Sequence, residues 1–192
     1  MEQFNIAAKS DTSFIVFHGT GGNEYSLLQV VGDIDPTANI RAYIGDVGTG
    51  KERRFFAPLE NGQINRTDLD KHVASFLKDW AQQKPEGKVI MLGYSNGANF
   101  LLALLEKEPN LADAMILLHP SNLSYHFSGT SNTALLLTAG ARDVVSIPGE
   151  SLKLSKAFAA HFPQTTFKLF DHGHDIVDEE VRFIRSQLAQ QI

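Results

Sequence analysis

With 192 residues, 43% of them hydrophobic, the chain is long enough for one domain with a substantial core. Its formal net charge of −5 gives no electrostatic footprint for nucleic acid or for an anionic membrane surface. It contains no cysteine, which excludes disulfides, thiol nucleophiles and thiolate metal sites and leaves the redox compartment open.

The N-terminal Met1-Glu2-Gln3-Phe4-Asn5 lacks the basic start and apolar stretch of a signal peptide, and no apolar run approaches the ~18 residues that span a bilayer. The cytoplasm is the expected location, with no membrane span. In chain order, a short strand is expected at 3–7 and a fuller one at 13–17, where Phe14-Ile15-Val16-Phe17 is continuously apolar. The glycine-rich run His18-Gly19-Thr20-Gly21-Gly22-Asn23-Glu24 follows, then a helix at 24–31 and a strand at 39–44. The segment 45–65 is polar and irregular. At its centre Arg53-Arg54-Phe55-Phe56 either walls an acyl or aryl pocket or pins a long loop to the core. Within it, Gly45 to Lys51 nearly spells a phosphate-binding loop. Glu52, however, occupies the position of the Mg²⁺-binding hydroxyl, and its carboxylate would repel phosphates.

Leu69, Val73, Phe76, Leu77 and Trp80 recur at helical spacing. A strand at 88–92 then meets Gly93-Tyr94-Ser95-Asn96-Gly97, and a helical run follows at 98–105. Further strands are expected at 114–118, 133–138 and 166–170, with helices at 151–161 and over Val177, Val181, Ile184 and Leu188, the last capped by Asp175. Alternating strands and helices predict an α/β protein with a mostly parallel sheet of six or seven strands, covered on both faces. Residues 1–192 are expected to form a single domain.

The chemistry-bearing residues fall where strands end. A G-x-S-x-G between a strand and a helix is a nucleophile elbow, in which flanking glycines permit a turn sharp enough to present the serine. Ser95 needs a base, and the base needs an acid to orient it. Asp143 lies in a loop past the strand 133–138, and His172 and His174 lie past the strand 166–170. Serine, acid, histidine is the chain order this arrangement requires, and ligand-handling groups in open α/β sheets collect at the carboxyl ends of strands. The glycine-rich loop supplies free N–H groups, so Thr20 and Asn96 are the expected oxyanion donors. His18 and His119, each just past a strand, read as packed or hydrogen-bonded histidines rather than catalysts. Asp178, Glu179 and Glu180 read as first-turn acids complementing a helix dipole.

These motifs, with Gly93-Tyr94-Ser95-Asn96-Gly97-Ala98-Asn99, His119-Pro120 and Gly173-His174, make the chain resemble the carboxylesterase/phospholipase branch of the α/β-hydrolase superfamily, and within it the small bacterial carboxylesterase-like hydrolases. The resemblance runs from about Ser13 to the C-terminal helix. It implies an α/β-hydrolase fold, a Ser-Asp-His triad working without metal or other cofactor, and a small-molecule ester or thioester as substrate. It places the catalytic histidine directly after glycine, which selects His174 over His172. Gly19, Gly21, Phe55, Phe56 and His119 are the expected substrate contacts. The segment 119–132, where many such enzymes insert a lid, is too short for a cap domain, so an open, shallow site is expected. A homodimer is compatible with the sequence. An acyl-thioesterase, a lysophospholipase and a non-catalytic small-molecule receptor are the alternatives. Activity dependent on a neutral histidine should fall on acidification through the histidine range.

Overall fold

The computed structural model describes residues 1–191. Among these, seven strands form one sheet: β1 (Gln3–Ile6), β2 (Thr12–Phe17), β3 (Asn39–Tyr43), β4 (Lys88–Tyr94), β5 (Ala114–Leu118), β6 (Ala134–Gly140) and β7 (Thr165–Phe170). The order across the sheet is β1-β3-β2-β4-β5-β6-β7, with β1 antiparallel to β3 and every other pair parallel. The helices are α1 (Leu28–Ile34), α2 (Arg66–Gln83), α3 (Asn96–Lys107), α4 (Pro148–Ala159) and α5 (Asp178–Gln191).

The central strands read as unbroken apolar runs because both of their faces are covered. In β5, Ala114 to Leu118 are all buried. On one face Leu69, Val73, Phe76 and Trp80 of α2 and Phe100 of α3 pack with Phe17 and Met91. On the other, Val31 and Ile34 of α1 meet Val181, Ile184 and Leu188 of α5 over Phe14, Leu92 and Ile116. Each fully buried side chain of this size contributes about 1.5–3 kcal/mol of transfer free energy. The register then sets the site. Phe17 pairs with Gly93, Tyr94 with Leu118, Leu118 with Thr138 and Gly140 with Phe170. The carboxyl ends of β2, β4, β5, β6 and β7 therefore share one edge of the sheet.

The helices α3 and α4 open two and three residues earlier than expected, at Asn96 and Pro148, and the starts of α1 and α5 differ for local reasons. Asn23 Oδ1 accepts the Tyr25 N–H at 3.0 Å and Ser26 Oγ accepts the Asn23 N–H at 2.9 Å, so residues 23–27 turn on their own side chains and α1 opens only at Leu28. At the C-terminus α5 opens at Asp178, and the Val177 N–H faces Glu180 Oε2 at 3.4 Å; Asp175 is exposed in the preceding turn and does not cap it. The segment between β5 and β6 carries no helix or strand, and its Tyr125 and Phe127 pack on the core rather than over the site. No helix among the described residues is long and apolar enough to cross a membrane.

Candidate functional site

β4 delivers Ser95 to the sheet edge, and sterics explain the residues around it. Ser95 adopts φ 51° and ψ −110°, a region that L residues rarely occupy and that costs on the order of 1–3 kcal/mol. A side chain at Gly93 would stand 2.7 Å from the Ala98 nitrogen, and one at Gly97 would stand 2.1 Å from the Phe17 carbonyl oxygen. Only glycine at both positions lets the chain reverse into α3 against β2. The Ser95 N–H donates to Leu118 O at 2.8 Å, which fastens the strained residue to β5.

The loop after β2 wraps the same corner. Its glycines are required by contact: a Cβ on Gly19 would lie 2.7 Å from the Tyr94 ring, and Gly21, at φ +78°, donates its N–H to Arg53 O at 2.8 Å. His18 anchors the loop from below. Gly45 N–H donates to His18 Nε2 at 3.0 Å, so the proton sits on Nδ1, which donates to Gly19 O at 2.7 Å. Burial pushes the His18 pKa down, consistent with this neutral tautomer. The Asn96 side chain accepts the Phe55 N–H at 2.8 Å, and Arg54 Nη2 donates to Thr20 Oγ1 at 2.9 Å. Thr20 and Asn96 thus both border Ser95 on a frame braced by the loop after β3.

Across the elbow, His174 Nε2 lies 2.9 Å from Ser95 Oγ, and His174 Nδ1 lies 2.7 Å from Asp143 Oδ2. Asp143 is buried, and its Oδ1 accepts the N–H groups of Val145 and Ser146 at 2.8 and 2.9 Å. Burial raises its pKa, but the hydrogen bonds from His174, Ser146, Val145 and His119 outweigh burial and hold it below the usual carboxylate range. Tyr94 secures the histidine loop by donating its hydroxyl to His174 O at 3.0 Å. Burial first, then Asp175, Asp143 and Glu180, pushes that phenol up to about 12, so it stays a donor. His172 points elsewhere: its Nδ1 meets Gly173 O at 3.0 Å and its ring stacks on Phe170.

Behind the carboxylate lies a layer the sequence did not disclose. His119, fully buried at φ 51°, sits with Nδ1 3.2 Å from Asp143 Oδ2 and Nε2 3.2 Å from Glu180 Oε1. Glu180 is itself fully buried, so it is more than a first-turn acid. Burial alone would lower the His119 pKa, but hydrogen bonding to and the charges of Glu180 and Asp143 outweigh it and raise it. The two carboxylates thus favour the doubly protonated ring, in which both nitrogens donate, and the rings of Tyr94, His172 and His174 surround it. Donor atoms of His119, His172 and Glu180, and of His119, Asp143 and His174, each lie within 4.8 Å of one another. Both trios share His119, whose shift toward the protonated form opposes a cation there.

A group whose folded pKa is raised stabilises the fold fully below its unfolded value, about 6.5 for histidine, and loses that contribution as pH rises through the folded value. The gap in Tm between the wild type and Glu180→Gln is therefore expected to be widest near pH 6, where the ionic hydrogen bond is worth on the order of 2 kcal/mol. It should close as pH rises through the His119 titration. Thermal melts across pH 6–10 check this, and a gap that widens with pH would contradict the charged form of His119.

Of the expected substrate contacts, two are corrected by burial. His119 is 0% exposed behind Asp143 and cannot touch a substrate. Phe55, also 0% exposed, packs on Phe17, His18 and Phe100 and pins its loop to the core. Phe56 does line a hollow of about 150 Å³ with Ser95, Thr20, Arg54, Leu59, Leu123 and Val145. Gly19 and Gly21 line a second hollow, of about 380 Å³, on the far side of the glycine-rich loop with Tyr94, Asp175 and Ile176. A hollow of about 300 Å³ between Asn5, Arg41 and Glu86 holds none of the elbow, acid or histidine residues.

No family model matches the chain. It is 29% identical over 95% of its length to MhqD of Bacillus subtilis (strain 168), a protein named provisionally as a hydrolase, and spans 95% of that protein. Among solved structures, a protein of unknown function from Agrobacterium tumefaciens superposes with a TM-score of 0.84 at 30% identity, over 100% of this chain and 96% of that one. A carboxylesterase from Mesorhizobium loti superposes at 0.85 with 25% identity over 95% of this chain and 90% of that one. The Bacillus cereus carboxylesterase gives 0.89 at 24% identity, over 100% and 95%, and shares the fold. With its sheet order and its strained serine between β4 and α3, the chain has the α/β-hydrolase fold, and the solved structures it resembles include carboxylesterases.

Proposed function

We propose that the protein is a serine hydrolase of carboxylic esters with small to medium acyl groups, acting as one catalytic domain through Ser95, His174 and Asp143. The observation that carries this reading is the unbroken line from Ser95 Oγ through His174 to Asp143, at 2.9 and 2.7 Å, starting from a strained serine. His174 takes the proton as Ser95 attacks the carbonyl carbon. Asp143 fixes the tautomer and stabilises the imidazolium, and the Thr20 and Asn96 N–H groups receive the charge on the carbonyl oxygen. His174 then passes its proton to the leaving oxygen, and a water molecule, deprotonated by the same imidazole, releases the acid from the acyl-enzyme. Asn96 is the first residue of α3, where a helix leaves its N–H groups unpaired, which favours it as a donor.

Purified protein should hydrolyse p-nitrophenyl acetate and butyrate, and a fluorophosphonate probe should label one serine, located by peptide mapping at Ser95. Acyl thioesters of the same chain lengths, run alongside, separate an esterase from a thioesterase by their kcat/KM values. Failure to cleave either class, together with no labelling, would leave a binding scaffold as the better reading. A label found on another serine would overturn the assignment of Ser95.

A further inference from the structure

Arg54 stands in the wall of the hollow that holds Ser95. Its backbone is clamped: Arg54 N–H donates to Val47 O at 2.9 Å, Val47 N–H donates to Arg54 O at 3.1 Å, and Gly45 passes so close that a Cβ there would lie 2.4 Å from Arg54 O. One arm of the guanidinium is used, with Nη2 donating to Thr20 Oγ1. Its Nε is buried and has no acceptor among the described residues. Glu52 acts on it only through space, and desolvation lowers its pKa more than Glu52 raises it. A half-buried guanidinium whose Nε has no acceptor keeps donor capacity for an anion, and its planar fork matches a carboxylate.

The hollow that holds Ser95 and the hollow beside Tyr94 meet at Thr20, which lines both. His174 must reach the leaving oxygen, so the leaving group lies on the side of Tyr94, Asp175 and Ile176, where Asp175 repels a negative charge. The Arg54 hollow contains no histidine and receives the acyl group. The hollow, of about 150 Å³, is sized for a short acyl chain such as a succinyl or glutaryl group. Phe56, Leu59, Leu123 and Val145 flank the methylenes of such a chain. Building on the esterase reading, we propose that Arg54 binds a carboxylate at the end of the acyl group, so that the preferred substrates are monoesters of short dicarboxylic acids.

The test compares p-nitrophenyl butyrate with the p-nitrophenyl monoesters of succinate and glutarate. The wild type should favour one of the monoesters by about tenfold or more in kcat/KM, with the advantage residing in KM. Arg54→Gln should lower that ratio at least about tenfold, and Arg54→Lys should restore part of it. If Arg54 only braces Thr20, both substrates will slow together and the ratio will not move, which overturns the inference. A wild type that prefers butyrate also overturns it while leaving the esterase reading intact. Should the wild type cleave none of these esters, that reading fails. Calorimetric binding of glutarate to the wild type, weakened in Arg54→Gln, then still supports a carboxylate site, and no binding removes it.

Discussion

His174→Ala is expected to lower kcat for p-nitrophenyl butyrate by about 10⁵–10⁶-fold, whereas His172→Ala costs about tenfold at most. The two histidines are separated only by Gly173, yet their surroundings are unlike. His174 spans Ser95 Oγ and Asp143 Oδ2, with its ring 5.4 Å from that of Tyr94. His172 is turned toward Gly173 O and Phe170, and its Nε2 lies 3.9 Å from Glu180 Oε2, away from the serine. Without the His174 imidazole, Ser95 keeps its proton at neutral pH and the leaving group receives none. Polarisation by the Thr20 and Asn96 N–H groups is the assistance that remains. Steady-state kinetics of both variants, with thermal melts to establish that each is folded, decide the base. A dead His172→Ala beside an active His174→Ala would reverse the assignment.

The parts of the site legible in the sequence were those dictated by local sterics. Gly93 and Gly97 are required because the backbones of Ala98 and Phe17 come within 3 Å of where a side chain would start, so the pattern around Ser95 is written within five residues. The strands were legible for a similar reason, since a strand covered on both faces must be apolar throughout, as Ala114 to Leu118 are. What was not legible depends on elements far apart in the chain. Glu180 looks like any acid in a first helical turn until α5 packs against α1 and β6 and brings it to His119. Phe55 looks like a pocket wall until Asn96, at the start of α3, accepts its N–H and its ring packs into the core. Tyr94 occupies a variable position of the elbow motif, and nothing in the motif indicates that its hydroxyl reaches the histidine loop.

Asp143→Asn should reduce kcat by about 10⁴-fold while leaving KM for a short ester nearly unchanged, because the carboxylate acts when charge appears on His174 and not when substrate binds. Four donors converge on this side chain: Val145 and Ser146 N–H on Oδ1, and His174 and His119 Nδ1 on Oδ2. An amide can accept from Val145 and Ser146 through its oxygen, so the loop persists. Its NH₂ group then faces both histidines and requires an acceptor at each Nδ1. In His174 this moves the remaining proton to Nε2, where it opposes the Ser95 hydroxyl instead of receiving that proton. At His119 it removes one of the two carboxylates that favour the charged ring, leaving Glu180 as its sole carboxylate partner. The loss therefore combines a wrong tautomer with a disturbed buried ion pair, and the two contributions separate by experiment. The tautomer effect falls on kcat at every pH, whereas the disturbance at His119 appears as lowered thermal stability below the His119 titration. A kcat within tenfold of the wild type in a folded Asp143→Asn would show that His174 does not depend on this carboxylate.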